Sequence, residues 1–287
     1  MIGAAAVAAL SLTMAACGSS DDDGSGGAKK EINIGYITWD EDIAITHLWK
    51  KVLESKGYTV NLTKVDAAPM YAGMAKGDID VYLDGWLPTT HEAYWKRYGD
   101  KLEDLGTWYG PATLGLAVPN YVKAQSIADL KSQGGQYENQ IIGIEPGAGE
   151  MNLAKNKLMP AYGLSNMKLV QSSTAAMLAQ LKKSISQKKP VVVTLWKPHW
   201  AYSKFPIRDL KDPKGAWGPA DKIHMIAHKG FSSDQPEVTK WLKNFKMSDK
   251  DLSKLEADVQ DAGPGKEAQG VQTWMDANKD FVTKMAS

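Results

Sequence analysis

Between residues 31 and 86 the apolar residues switch period repeatedly, and this alternation constrains the fold more than any other feature of the chain. The stretch "EINIGYI" (31–37) reads as a strand. In "DIAITHLWKKVLESKG" the residues Ile45, Leu48, Trp49, Val52 and Leu53 form one helical stripe, closed by Gly57. "YTVNLTKV" (58–65) alternates apolar and polar residues as a half-buried strand does. "APMYAGMAKG" is a short helix ended by Gly77, and "IDVYLDGW" (79–86) is a third strand. The order β-α-β-α-β calls for a parallel α/β sheet. A second block follows. "TLGLAVPNYV" (113–122), "QIIGI", "LVQSS" and the Val-rich "PVVVTLW" (190–196) read as strands. "EMNLAKNKLM" and a stripe of Met177, Leu178, Leu181 and Ile185 read as helices. "KIHMIAHKGF" (222–231) is another strand, and the remainder is helical, with Val271, Trp274, Met275 and Asn278 at helical spacing.

The 287 residues therefore divide into two α/β blocks. Residues 31–115 with 226–287 are expected to build one lobe and residues 116–225 the other. Crossing segments near 113–119 and 223–229 would form a two-stranded hinge. A cleft between two such blocks is a favoured ligand site.

Several function classes are excluded by composition. The formal net charge is +1 and no basic stripe appears, so no nucleic-acid partner is expected. The single cysteine, Cys17, lies near the N-terminus, so the folded body holds neither a disulfide nor a thiol nucleophile. No phosphate loop, dinucleotide fingerprint or nucleophile elbow occurs. His224 and His228 are four apart, but "IHMIAH" reads as strand and no acidic residue stands between them. No metal and no cofactor are expected.

Tryptophan is the outlier: ten residues against four Phe. Trp39 ends the first strand, Trp86 the third and Trp196 the Val-rich one. Each stands at the carboxyl end of a strand, where open α/β sheets bind ligands. Core packing is the ordinary fate of one such residue. Three in equivalent places, drawn from both blocks, point to indole faces around one guest. A quaternary ammonium suits them, because its charge is spread over methyl groups that donate no strong hydrogen bond. Three such contacts contribute roughly 3–6 kcal/mol, and micromolar binding needs about 8 kcal/mol. A carboxylate on the same ligand could add the rest. The Gly-rich turn "EPGAGEMN" directs backbone N–H groups of residues 147–150 at one spot, and it needs no basic side chain to hold an anion.

Five segments, "GYITWDEDIAIT", "DGWLPTTHEAYWKRYG", "LGLAVPNYV", "IIGIEPGAGEM" and "TLWKPHW", resemble the glycine betaine substrate-binding proteins of ABC osmoprotectant importers, the OpuAC group. The resemblance covers residues 31–287. It implies a type II periplasmic-binding-protein fold that closes on its ligand, a monomeric receptor, a permease as partner, and no enzymatic activity. It also implies that Trp39, Trp86 and Trp196 cage the trimethylammonium group. His91 and the amides of Gly149 and Glu150 would hold the carboxylate. Glu150 departs from the apolar residue expected there. Its side chain must point away from a bound carboxylate; if it points in, choline fits better than betaine. Choline, carnitine or proline betaine receptors of the same fold are the alternative, with a quaternary-amine enzyme behind them. His199 and Trp200 are expected near the cleft rim.

Residues 1–16 read as a signal peptide with a short apolar core. "MAAC" resembles a bacterial lipoprotein box, in which Cys17 is acylated and begins the mature chain. Residues 17–30 would then be a flexible tether holding an extracytoplasmic protein on the membrane.

Overall fold

The computed structural model describes residues 30–287. The expected signal peptide, Cys17 and all of the tether except Lys30 lie outside the described residues. No helix among the described residues is long and apolar enough to cross a membrane.

Among the described residues nine strands build the scaffold: β1 (Glu31–Tyr36), β2 (Thr59–Lys64), β3 (Val81–Leu87), β4 (Leu102–Pro119), β5 (Gln140–Ile142), β6 (Lys168–Val170), β7 (Val193–Lys197), β8 (Ile207–Asp209) and β9 (Asp221–His228). Their order is β2-β1-β3-β9-β4-β7-β5-β6, with β8 also on β4. The parallel strands of the first sheet are β1, β2 and β3, in register Ile34↔Leu62 and Ile34↔Val81. In the second sheet β5 runs parallel to both β6 and β7.

The long strand β4 joins the two sheets. Its residues 102–112 pair with β9, while 113–119 pair with β7 and β8. The sequence reading found only the second part, because "LEDLGTWYGPA" carries two glycines and a proline and breaks the strand pattern. The chain returns to the first sheet between Asp209 and Asp221, and β9 then pairs along its length with β3 and β4. The expected lobe boundary at 225/226 falls inside this strand, and the 223–229 segment belongs wholly to the first sheet and its following turn.

Helices cover the sheets as their stripes require. In α1 (Asp40–Ser55), Ile45, Leu48, Trp49, Val52 and Leu53 are all buried. Its first turn carries Asp40, Glu41 and Asp42, all three buried. The helix α2 (Ala67–Lys76) ends at Gly77 in the left-handed conformation, φ 81°. A third helix, α3 (Glu92–Tyr98), follows β3. One large apolar core runs from the first sheet across to Met177 and Leu181 under the second. A smaller core holds Leu116, Val118 and Val192 on the opposite face of the second sheet.

The C-terminal helices close back on the first sheet. Helix Asp249–Ala262 carries Glu256, buried, and Gln260, which donates to Asp40. Helix Glu267–Ala277 crosses it at Gly270, where a Cβ would meet the Asp258 carbonyl oxygen at 2.5 Å and Val259 Cα at 2.5 Å. Both obstacles are backbone and cannot swing aside. Gly270→Ala should therefore cost about 2 kcal/mol in denaturant unfolding, although Ala is the better helix former by about 1 kcal/mol. A stabilised variant would show that the two helices do not meet there.

Candidate functional site

The two sheets face each other over a small, nearly filled cavity of about 20 Å³. Trp39, Glu41, Trp86, Thr90 and His91 line it from the first half of the structure. Leu114, Ile144, Ala148, Gly149, Glu150 and Trp196 line it from β4 and the second half. All six residues singled out from the sequence thus meet at one place. The cavity has room for about one water, so the lining side chains lie almost in contact. A wider depression of about 690 Å³ lies nearby, bordered by Tyr94, Gly147 and Lys155, with Tyr94 as its one aromatic lining residue.

Each tryptophan is placed by backbone and fixed by a carboxyl group. Trp39 is the residue preceding α1, with extended φ/ψ of −92° and 144°. Trp86 and Trp196 are the penultimate residues of β3 and β7, and each is followed by a cis X-Pro bond, Leu87–Pro88 and Lys197–Pro198. The indole N–H of Trp86 donates to Asp84 Oδ1 at 3.0 Å, that of Trp196 to Glu41 Oε2 at 2.8 Å, and that of Trp39 to Glu145 Oε2 at 3.4 Å. Glu145 is itself held by the Thr174 amide at 2.8 Å and hydroxyl at 2.9 Å. All three rings are nearly inaccessible, at 3–5% exposure, so they form walls of the cavity and not an outer rim.

His91 completes the first half. Its Nδ1 accepts the Trp86 amide N–H at 3.0 Å and lies 3.1 Å from the Tyr71 hydroxyl. Burial lowers its pKa to about 3, so the ring is neutral at physiological pH. With Nδ1 accepting from a backbone amide, the proton resides on Nε2. That buried Nε2 has no protein partner and is free to donate. The ring stacks on Trp39, centroids 5.6 Å apart. The turn leading to it is pinned by Asp221 of β9, which accepts the Thr89 amide at 2.6 Å and the Thr90 amide at 2.9 Å.

From the other side, Ala148 caps the helix Gly149–Leu153, which continues through residue 162 as a π turn and a last α turn. Gly149 approaches the first half so closely that a Cβ would stand 2.1 Å from the Thr90 carbonyl oxygen. Glu150 is buried, and its carboxyl faces the Gly115 amide and the Thr194 hydroxyl of the second sheet. Burial, reinforced by the charge of Asp209, pushes its pKa well above the carboxylate range. Neither oxygen attains full hydrogen-bond geometry. The carboxyl is thus held toward its neutral form and faces its own sheet, while the residue also lines the cavity.

A layer of acids that the sequence reading missed lies behind the rings. Burial raises Glu41 and Asp84 well above the usual range, with Asp84 and Glu256 repelling Glu41 and Asp42 repelling Asp84. Burial alone raises Asp42 to about 8, partly offset by hydrogen bonds from the Ile37 amide and Thr46. A lone acidic run such as "WDED" gives no sign of burial, since acidic residues at a helix start are usually solvated.

The two halves are drawn together by further contacts. The Trp200 indole N–H donates to Asp40 Oδ1 at 2.8 Å, and His199 Nε2 lies 3.1 Å from Asp40 Oδ2. The Tyr94 hydroxyl donates to the Gly147 carbonyl at 2.7 Å, and Lys204 pairs with Asp261 at 2.8 Å. This is a closed arrangement. His199 and Trp200 bridge the halves beside the cavity without lining it. Of the other tryptophans, Trp49, Trp108, Trp217, Trp241 and Trp274 are core residues, and Trp95 packs partly buried against the larger core.

Comparison with known proteins agrees with this geometry. The glycine betaine/carnitine transport binding protein GbuC of Listeria monocytogenes is 40% identical over 156 residues, 54% of this chain and 51% of that protein. The chain thus spans about half the length of this relative. The glycine betaine/proline betaine-binding periplasmic protein of Escherichia coli is 26% identical over 289 residues, 86% of each chain. The structure superposes on lactococcal OpuAC in its closed, glycine betaine-bound form with a TM-score of 0.83 and 32% identity, covering 90% of this chain and 99% of that one. The fold is that of type II periplasmic binding proteins. The model of the substrate-binding domain of ABC-type glycine betaine transport systems matches residues 30–277, and the chain belongs to that family.

Proposed function

We propose that this protein captures glycine betaine between its two halves and presents it, closed, to an ABC importer. The trimethylammonium group occupies the space between Trp39, Trp86 and Trp196, and the carboxylate accepts hydrogen bonds from His91 Nε2 and the amides of Gly149 and Glu150. One observation carries this reading. Indoles from both halves enclose a single cavity that also contains a buried, neutral histidine with an unpartnered N–H.

The electrostatics favour a zwitterion. A charged carboxylate beside the rings would attract Na⁺ and lysine as well. With Glu41, Asp84 and Glu150 all held toward their neutral forms, selection falls to the π faces, which prefer a large, weakly hydrated cation. Ligand contacts from both halves favour the closed state, the form a permease can distinguish from the empty one. The anchor at Cys17 rests on the sequence "MAAC" alone, and an acyl mass on a peptide beginning at that residue would establish it.

Isothermal titration calorimetry against glycine betaine, choline and glycine tests the assignment. Saturable binding of betaine, weaker binding of choline and none of glycine are expected; preference for choline would replace the ligand. Trp86→Ala should lower betaine affinity by about tenfold, one lost contact's worth of about 1–2 kcal/mol, with the fold retained by circular dichroism. Gly149→Ala should abolish tight binding while leaving ligand-free thermal stability unchanged, because the added methyl strikes Thr90 only when the halves meet; undiminished affinity would mean the closed form is not the binding form.

Affinity should fall as pH rises above about 6.5. There the closed state holds a proton on Glu41, raised by burial, that a solvated open state has released. Below about 6.5 the same effect is opposed by His91: an open-state ring near the ordinary histidine pKa of about 6.5 must lose a proton that the closed site, with its pKa of about 3, does not hold. Titrations from about pH 5 to 9 in one buffer series check the shape, with a fall above about 6.5 and a shallower dependence below it expected; a flat profile in the upper range would count against a neutral Glu41 in the closed cleft.

A further inference from the structure

The three rings are not held alike. The Trp86 N–H is bound by Asp84, two residues earlier on the same strand. The Trp196 N–H is bound by Glu41, which stands in the first turn of α1, 155 residues away and in the other half of the molecule. At 2.8 Å this is the shortest of the three indole bonds. Glu41 is 1% exposed and itself lines the cavity. Among the described residues, its one hydrogen bond to another side chain is the one to Trp196.

We infer that Glu41 is a positioning residue that couples closure of the two halves to completion of the aromatic cage, by fixing the orientation of Trp196 only when the halves are closed. An indole at the end of β7 has two torsions to set. In the separated state nothing from α1 restrains them. On closure the Glu41 carboxyl takes the N–H edge of the ring and leaves its face to the cavity. Closure and ring placement thereby become one event, and the ligand meets a finished third wall in the closed form alone. The buried groups around Glu41 favour this use. Asp84 from β3 and Glu256 from the helix Asp249–Ala262 both oppose its ionisation, so the oxygen facing Trp196 is an acceptor without a net charge. A bare carboxylate there would compete with the π faces for the cation.

The inference rests on the proposed function, in that the cage must take a methylated ammonium. The test is a double-mutant cycle read by calorimetric affinity, with the ligand-free melting temperature measured alongside. Glu41→Ala should lose about tenfold in affinity with no drop in the ligand-free melting temperature, since the bond exists only across closed halves. Glu41→Gln, whose amide oxygen can still accept, should stay within about threefold. In a Trp196→Phe background, which keeps a ring and removes the N–H, Glu41→Ala should cost less than about twofold. Wild-type affinity in Glu41→Ala, or an equal loss in the Phe background, would overturn the coupling. A lowered ligand-free melting temperature would assign Glu41 to the fold instead. If the wild type rejects betaine and binds choline, the ligand assignment fails while the same cycle is read with choline; if it binds neither, both proposals fall.

Discussion

The site depends on a hydrogen bond that a tryptophan makes at its edge. An indole has one donor, and when that N–H is fixed the ring can no longer turn about its attachment. Asp84, Glu41 and Glu145 each fix one ring in this way, and their oxygens lie among buried or half-buried residues. Those carboxyls need local support. Glu145 receives it from Thr174, Asp84 sits inside a strand buried along its whole length, and Glu41 sits buried in the first turn of α1. The scaffold of parallel strands with helices between them supplies all three settings at one end of the molecule.

Burying so many acids has a chemical consequence. Isolated carboxylates in an interior are costly, and the least expensive answer is to keep the proton. Glu41, Asp42, Asp84, Glu150 and Glu256 are all shifted in that direction. His91 makes the matching adjustment by remaining neutral. The cavity thus carries little net charge of its own, which suits a guest that brings one positive and one negative group. Attraction comes from ring faces at one end and from N–H dipoles at the other, and neither requires a counter-ion.

Closure is written into small residues as much as into large ones. Gly149 lets the second half reach the Thr90 carbonyl, and no residue with a side chain could come so near. Tyr94 reaches across to Gly147 on the same edge, while Trp200, His199 and Asp40 join the halves on another. These contacts share the cleft with the cage, so the energy that holds the halves together and the energy that holds a ligand act over the same motion.

Much of this was legible in the chain alone. The alternating periods marked two α/β blocks, and the strand-end positions of Trp39, Trp86 and Trp196 set them apart from tryptophans such as Trp49 and Trp274 that lie on helical stripes. Those signals are local, and local geometry determines them. The sequence also marked the Gly-rich turn at 147–150 and a possible conflict at Glu150. Tertiary structure decided the rest. Residues 102–112 became half of a long strand only because β9 lies beside them. Glu41, Glu145 and Asp221 acquired roles only because residues as much as 155 positions away present donors to them. The direction of the Glu150 side chain and the proton on His91 followed from burial. Periodicity reports which face of an element is covered, whereas a pairing between a carboxyl and an indole on different halves exists only once those halves have met.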